Sequence, residues 1–265
     1  MIHFTPFRTP RLTIQLRELT IGQSIELIAR PAHLHEAATT AMLTHVIEPS
    51  DRVIMGQVTD PRLMTVQERG MLAAHYLAHT VGTPNFKIGE TATFSQYLFE
   101  GIEFAGEVDA GEIGEDRWTC SPLLGYQAEA IERLIHTGRM LGKRQGWMIG
   151  AMACQMRRPD HEPELEDVAD AVFDAWLLKR VATLQNYPES QFALLLAAYL
   201  SANNEVQHLL RMAFSDDGLV FVTGVPGLPS ARFPVSDLLS DGTSWFLGVA
   251  AEPEDGTDAV EPSAG

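Results

Sequence analysis

The tetrapeptide Thr65-Val-Gln-Glu68 constrains the fold of this chain more than any other short stretch. A hydroxyl followed three positions later by a carboxylate answers two of the amides that every helix start leaves without a partner. Met71-Leu-Ala-Ala-His-Tyr-Leu77 follows with closely spaced apolar side chains, so the spacing predicts a helix beginning at Thr65. Thr20-Ile-Gly-Gln23 repeats the device in front of Ile25, Leu27 and Ile28. Ahead of both, Leu12-Thr-Ile-Gln-Leu16 alternates apolar and polar side chains, the pattern of a half-buried strand. A strand followed by two encoded helix starts sets a mainly helical plan for the first third of the chain.

The remainder extends that plan. Pro31 suits the first turn of a second helix, which is expected to reach about Ile47 with Leu34, Ala38, Ala41, Met42 and His45 along one stripe. Pro49, Gly56 and Pro61 mark a loop with one short strand near Val53. From Val81 to Thr119 the pattern is broken and glycine-rich, with Phe86, Ile88, Phe94, Tyr97, Leu98, Ile102 and Phe104 as scattered anchors, and a small sheet or lobe is expected. Helical period returns at Tyr126 to Ile135, after which Gly138, Gly142, Gly146 and Gly150 recur every four residues. That recurrence fits either close helix packing or broken structure, since each glycine costs a helix interior about 1 kcal/mol against alanine. Asp160 to Asp167 is an acidic lead into a helix carrying Val168, Val172, Ala175, Trp176 and Val181, and a last long helix is expected from Glu189 to Phe214. Leu219 to Val222 is β-prone, Gly224 to Pro229 is a loop, and Trp245 to Leu247 forms a final strand or packs on the helices.

The expected fold class is mainly α with minor β (α+β). Its expected divisions are residues 1–80, a strand plus helices; 81–120, a β and loop insertion; 121–250, a helical body with a C-terminal β segment; and 251–265, a disordered acidic tail. That tail carries five acids, no Lys or Arg, and no large apolar residue except Val260, so it cannot bury enough apolar surface to order itself.

Charge narrows the choice of partners. The chain carries 35 acids against 19 bases, a formal net charge of −16, which disfavours nucleic acid and anionic lipid because both are polyanions. No apolar run approaches the roughly 20 residues of a membrane span, and Met1 to Pro10 has no apolar core of a secretory signal, so the expected location is a cytosol. Cys120 and Cys154 match no metal or redox spacing and read as core thiols.

Few residues suggest chemistry. Gly138 to Arg144 has a phosphate-loop look, but its glycines are one residue too close and Arg144 stands where a hydroxyl must reach magnesium. No nucleophile elbow, H-E-x-x-H helix or EF-hand loop is present. His75 and His79 lie four apart on the predicted helix, a spacing that can set two imidazoles on one metal, with a third ligand to come from His33, His35 or Cys120. The simpler reading is one packed and one solvent-facing histidine. Between Arg133 and Arg158 lie six bases and no acids, a positive stretch between two runs of seven acids each, Glu100 to Asp116 and Asp160 to Asp174. Ordinary solvated helix faces are the simplest reading of this stretch; as partner-binding candidates it offers Arg139, Lys143, Arg144, Trp147, Arg157 and Arg158, with pairing to acids of this or a neighbouring chain favoured over nucleic acid.

The strand Leu12 to Leu16, leading through Leu16-Arg-Glu-Leu-Thr-Ile-Gly22 into a run of helices, resembles the small tail and baseplate assembly proteins of tailed bacteriophages. Leu63-Met-Thr-Val-Gln-Glu-Arg69 is similar to the helix starts of those proteins, and the likeness covers about the first 80 residues. It implies a protein with no enzymatic activity and no cofactor. Such a protein either sits in the virion tail or chaperones a tail component in the host cytoplasm, with other tail or baseplate proteins as partners and self-association compatible. The alternatives are a metal-dependent enzyme built on His75 and His79, and an acidic helical adaptor.

Overall fold

Thr65 caps the helix that its sequence encodes. In the computed structural model, which describes residues 2–49, 55–99, 103–158, 169–239 and 241–248, its hydroxyl accepts from the Glu68 amide at 3.1 Å and its own amide donates to Glu68 Oε2 at 2.8 Å. The helix runs Val66–Thr80 (α3). Thr20 does the same for Ile21–Ile28 (α1) through Gln23.

In front of α1, Phe7–Arg8 (β1) pairs antiparallel with Thr13–Ile14 (β2). Leu12, Ile14 and Leu16 are all buried while Thr13 is exposed, so the alternation read from sequence sets the burial even though the ladder itself is short. Next comes His35–Val46 (α2), and Leu16 bridges Ile47 at its end.

Beyond α3 lie two small hairpins. Lys87–Ile88 (β3) pairs with Ala92–Thr93 (β4), and Val108–Ile113 (β5) pairs with Asp116–Cys120 (β6). Gly125–His136 (α4) and Lys143–Gln155 (α5) follow, and Met156–Arg157 (β7) then joins β6 to complete a three-stranded antiparallel sheet. Asp170–Gln185 (α6) and Glu189–Glu205 (α7) lead to the hairpin of Met212–Ser215 (β8) with Gly218–Phe221 (β9), and Asp241–Phe246 (α8) is the last described helix. The fold is mainly helical with small antiparallel sheets, and one apolar cluster runs through it from Phe4 to Leu238.

The starts of α3 and α4 are tied side by side. Val66 N donates to Leu123 O and Gly125 N to Met64 O, both at 2.9 Å, so the two helices leave one junction with fixed orientation. The four-residue glycine series serves two different ends. Gly138 turns the chain at φ +69 and Gly142 is the N-cap of α5. Gly146 and Gly150 lie within α5, where a β-carbon on Gly150 would meet Ile131 of α4 at 2.9 Å.

Several expectations are corrected. Pro31 does not open α2, which begins at His35 after a turn. The buried face of α2 carries Glu36, Thr39, Met42, Leu43 and Val46, so of the expected stripe only Met42 is fully buried. On α6 Val172 is 55% exposed, and the buried set is Phe173, Asp174, Leu177, Val181 and Leu184. The last long helix stops at Glu205: Phe214 belongs to β8, because its segment gains a ladder with the β-prone stretch after Asp217-Gly218. Trp245 and Phe246 lie in α8 and not in a strand. The strand near Val53, the acidic run Asp160 to Asp167 and the tail 251–265 lie outside the described residues.

Candidate functional site

The six partner-binding candidates separate into three places. Arg139, Lys143 and Arg144 stand exposed at the corner between α4 and α5, around Leu141, which is 58% exposed. Sequence and packing fix this corner in detail. α4 ends at His136, Gly138 reverses the chain, Met140 inserts with 8% exposure as an anchor, and Lys143 takes φ +64 as α5 begins. Gly146 lies against the Leu141 carbonyl, inside the distance any β-carbon would allow. The Arg144 amide donates to Asp216 Oδ1 at 3.4 Å, tying the corner to the β8–β9 turn. The side chains of Arg139, Lys143 and Arg144 pair with no acid among the described residues. Three cations whose side chains pair with no described acid, beside one exposed leucine and with the exposed Asp216 carboxylate at the Arg144 amide, leave the corner net positive and partly apolar on an acidic protein.

Trp147 does not belong to that surface. It is 3% exposed, beneath the corner, and a β-carbon on Gly218 would touch its indole at 3.2 Å. Its place in the core follows from the α5 face that also buries Gly150, Ala151 and Cys154. Arg158 is engaged elsewhere, with Nη1 3.2 Å from Asp116 Oδ2 and its guanidinium 5.6 Å from the Trp118 ring. Arg157, on β7, borders a cavity of about 550 Å³ with Arg11, Phe104, Glu107, Ser121 and Gln127. Arg11 lies 4.5 Å over the Phe104 ring and 3.6 Å from Glu68, so its charge is already answered.

The histidine pair is brought together, but by the N-terminal segment. His75 Nε2 lies 2.8 Å from Thr5 O, His79 Nε2 lies 3.1 Å from Thr5 Oγ1, and the two rings are 4.7 Å apart edge to face. Phe4 stacks on Tyr76 at 5.0 Å and leans on His79, and Phe7 leans on His75. Burial and the neighbouring His75 and His3 lower the His79 pKa. Of the third ligands suggested by sequence, His33 packs against His136 with ring centroids 4.4 Å apart, His35 lines a small cavity beside Arg69, and Cys120 lies in the core. Among the described residues, no group of three or more His, Cys, Asp or Glu side chains is arranged to hold a metal ion. Burial pushes both thiols, Cys120 and Cys154, up to about 12.

The most concentrated charge cluster was not legible in sequence. Arg69, Glu36, Glu129 and Glu132 are all buried where α2, α3 and α4 meet. Glu132 Oε1 accepts from the Glu36 amide at 2.9 Å and Oε2 from the Ala37 amide at 3.1 Å, so a side chain of α4 caps α2, whose own N-cap, Leu34, offers no side-chain hydrogen bond. Burial first, and then the adjacent Glu36, push the Glu132 carboxyl up to about 8. Arg69 donates through Nη2 to Glu36 O, and Thr40 donates to Glu129. Arg62 and Arg133 extend the cluster to the surface through Asp170 and Asp174. The sequence carries no signal for it, because Glu129 and Glu132 share the polar side of α4 with Arg133 and His136, opposite Ile131 and Leu134, and would be expected to face water. These groups hold three helices in register, and Arg69 keeps Nε and Nη1 buried without a hydrogen-bond partner.

No protein family, curated protein or solved structure matches this chain. Among the described residues, no helix is long and apolar enough to cross a membrane.

Proposed function

We propose that this chain is a tail or baseplate assembly or structural protein of a tailed bacteriophage, acting through protein contacts and catalysing no reaction. The observation that carries the reading is the α4–α5 corner, where Arg139, Lys143 and Arg144 surround the exposed Leu141 on a chain of net charge −16. A positive knob on an acidic body suits an ordered assembly, in which it seats on the acidic face of the next component and like charges elsewhere discourage wrong contacts. The N-terminal order of strand, Leu-Arg-Glu-Leu-Thr turn and capped helix adds the resemblance to phage assembly proteins. The partners are other tail or baseplate proteins, met in the host cytoplasm during assembly or in the finished tail.

Two measurements test this reading. Neighbouring genes for tail-tube or tape-measure proteins are expected, and a metabolic operon without them refutes it. The triple variant Arg139→Glu, Lys143→Glu, Arg144→Glu is expected to keep its fold and to lose capture of the tail partner at moderate salt. Undiminished capture removes the corner from the argument. Mass spectrometry of purified particles then separates the two roles, since a chaperone is absent from them and a baseplate part is present.

A further inference from the structure

Residues 2–8 cross α3 as a strap. Phe4 is its anchor, 2% exposed and stacked on Tyr76, with Gln15 Nε2 donating to the Phe4 carbonyl at 2.9 Å. At one end Ile2 N donates to Glu18 Oε2 at 3.0 Å, and at the other Phe7 and Arg8 pair with β2. Between these holds the strap meets α3 through Thr5, and both groups that grip Thr5 are imidazoles. His75 Nε2 lies 2.8 Å from Thr5 O, and His79 Nε2 lies 3.1 Å from Thr5 Oγ1 and 3.4 Å from the Thr5 amide nitrogen.

An amide nitrogen only donates and a carbonyl only accepts, so Thr5 dictates the protons on both rings. His75 carries a hydrogen on Nε2, which its neutral and its charged form both allow. His79 keeps Nε2 bare to accept from the amide, and only the neutral ring does so. The Thr5 hydroxyl can turn to accept from a charged His79, but the amide cannot. A proton on His79 therefore strips the Thr5 amide of its acceptor and sets two N–H groups face to face.

The groups around His79 mostly add like charge. Its ring stands 4.7 Å from that of His75, edge to face, and His3 on the strap itself acts on it. Arg8, exposed at the end of the strap, is a further cation. On α3 the Tyr76 hydroxyl accepts from Leu19 N at 3.2 Å, and burial keeps this phenol neutral. Glu18 supplies the opposing charge and is engaged by the Ile2 amide.

We infer that residues 2–8 are an acid-released strap, clasped over α3 by His79 and His75. Burial first, then His75 and His3, lower the His79 pKa from 6.5, against the opposite pull of the His3 backbone. The closed strap thus makes His79 refuse a proton that it takes once the strap has lifted, so the clasp is whole above pH 6.5 and weakens as the pH falls below it. Charges on two rings 4.7 Å apart multiply opening roughly four-fold even at the dielectric of water, and the lost amide bond adds to that factor. Opening withdraws Phe4 and bares the ring of Tyr76, which is 3% exposed while the strap is closed. This inference is independent of the phage reading and of the α4–α5 corner.

Hydrogen exchange at the Thr5 amide of the full chain, taken relative to the unprotected rate at each pH, tests it. From about pH 7.5 to about pH 5.5, the range in which histidine gains its charge, Thr5 is expected to lose protection by roughly four-fold or more. It is expected to exchange faster than the interior of α5 throughout, because the strap opens without the chain unfolding. The loss is expected to follow the titration of the His79 ring, read by NMR on the same sample. His79→Gln keeps an acceptor oxygen for the Thr5 amide and does not titrate, so its Thr5 protection is expected to stay level. Level protection in the parent, a loss out of step with the His79 titration, or an equal loss in His79→Gln overturns the inference.

Discussion

Gly146→Ala sets two effects of opposite sign against each other within α5. On helix propensity alone the change favours alanine by about 1 kcal/mol. Packing opposes it, because the new β-carbon would overlap the Leu141 carbonyl oxygen and approach Ile135 Cδ1 at 3.4 Å. Leu141 O is backbone, so relief requires the whole corner from Met140 to Lys143 to move by more than an ångström, against the Met140 anchor and the left-handed Lys143. Overpacking of this kind costs about 1–3 kcal/mol and sits at the upper end where backbone must shift. The net expectation is a loss of about 2 kcal/mol, a fall in thermal midpoint of about 4–8 °C for a chain of this size. Urea unfolding with an unchanged slope and a lower midpoint checks it. Gly150→Ala is the internal comparison: its β-carbon meets only side-chain atoms of Ile131 and Met140 at 2.9–3.0 Å, which can give by a few tenths of an ångström, so a smaller loss is expected. A Gly146→Ala chain as stable as the parent, or more so, refutes the close approach that shapes the corner.

Two further outcomes follow from the buried charges. Glu132→Ala removes both acceptors from the first turn of α2, at about 1–3 kcal/mol for a buried amide left bare, with the Ala37 amide, only partly buried, at the low end. A net loss of about 2 kcal/mol is expected by chemical denaturation, and Glu132→Gln, which keeps one acceptor oxygen, is expected to lose about half as much. His208 is 4% exposed beside Thr65, Glu68 and Phe104, and burial lowers its pKa from 6.5 to about 4. The folded state therefore refuses a proton that the unfolded chain accepts, so the stability is whole above pH 6.5 and falls as the pH drops toward 4, by roughly 3 kcal/mol in the limit. Glu68, whose carboxyl burial raises, acts in the opposite sense over part of that range, so the measurement is the difference between the parent and His208→Gln. Equal acid sensitivity of the two chains would refute the assignment.

The sequence by itself determined the features written in a few adjacent residues. Thr20 and Thr65 cap α1 and α3 as their spacing requires, because a capping box closes its hydrogen bonds within four residues and needs nothing from the rest of the fold. The alternation of Leu12, Ile14 and Leu16 likewise fixed which side chains enter the core. Tertiary structure decided what depends on distant partners. Which face of α2 and of α6 is buried followed from acids and arginines brought together by other helices: Glu36 lies inside because Arg69 meets its carboxylate there, and Asp174 because Arg133 reaches it. α7 stops at Glu205 because the segment after it gains a paired strand, and a local helical pattern cannot anticipate a ladder formed with residues beyond the next turn. At the candidate site, sequence named Arg139, Lys143 and Arg144, while folding withdrew Trp147 into the core and carried Arg157 and Arg158 elsewhere. An open face on α7 was written as an apolar run from Phe192 to Leu200, but only the packing of Leu195 and Tyr199 against the sheet settled which side of it is left bare. Covalent neighbours fix caps and alternation, whereas burial is a property of the whole surface removed from water, and that is set only when every element has found its place.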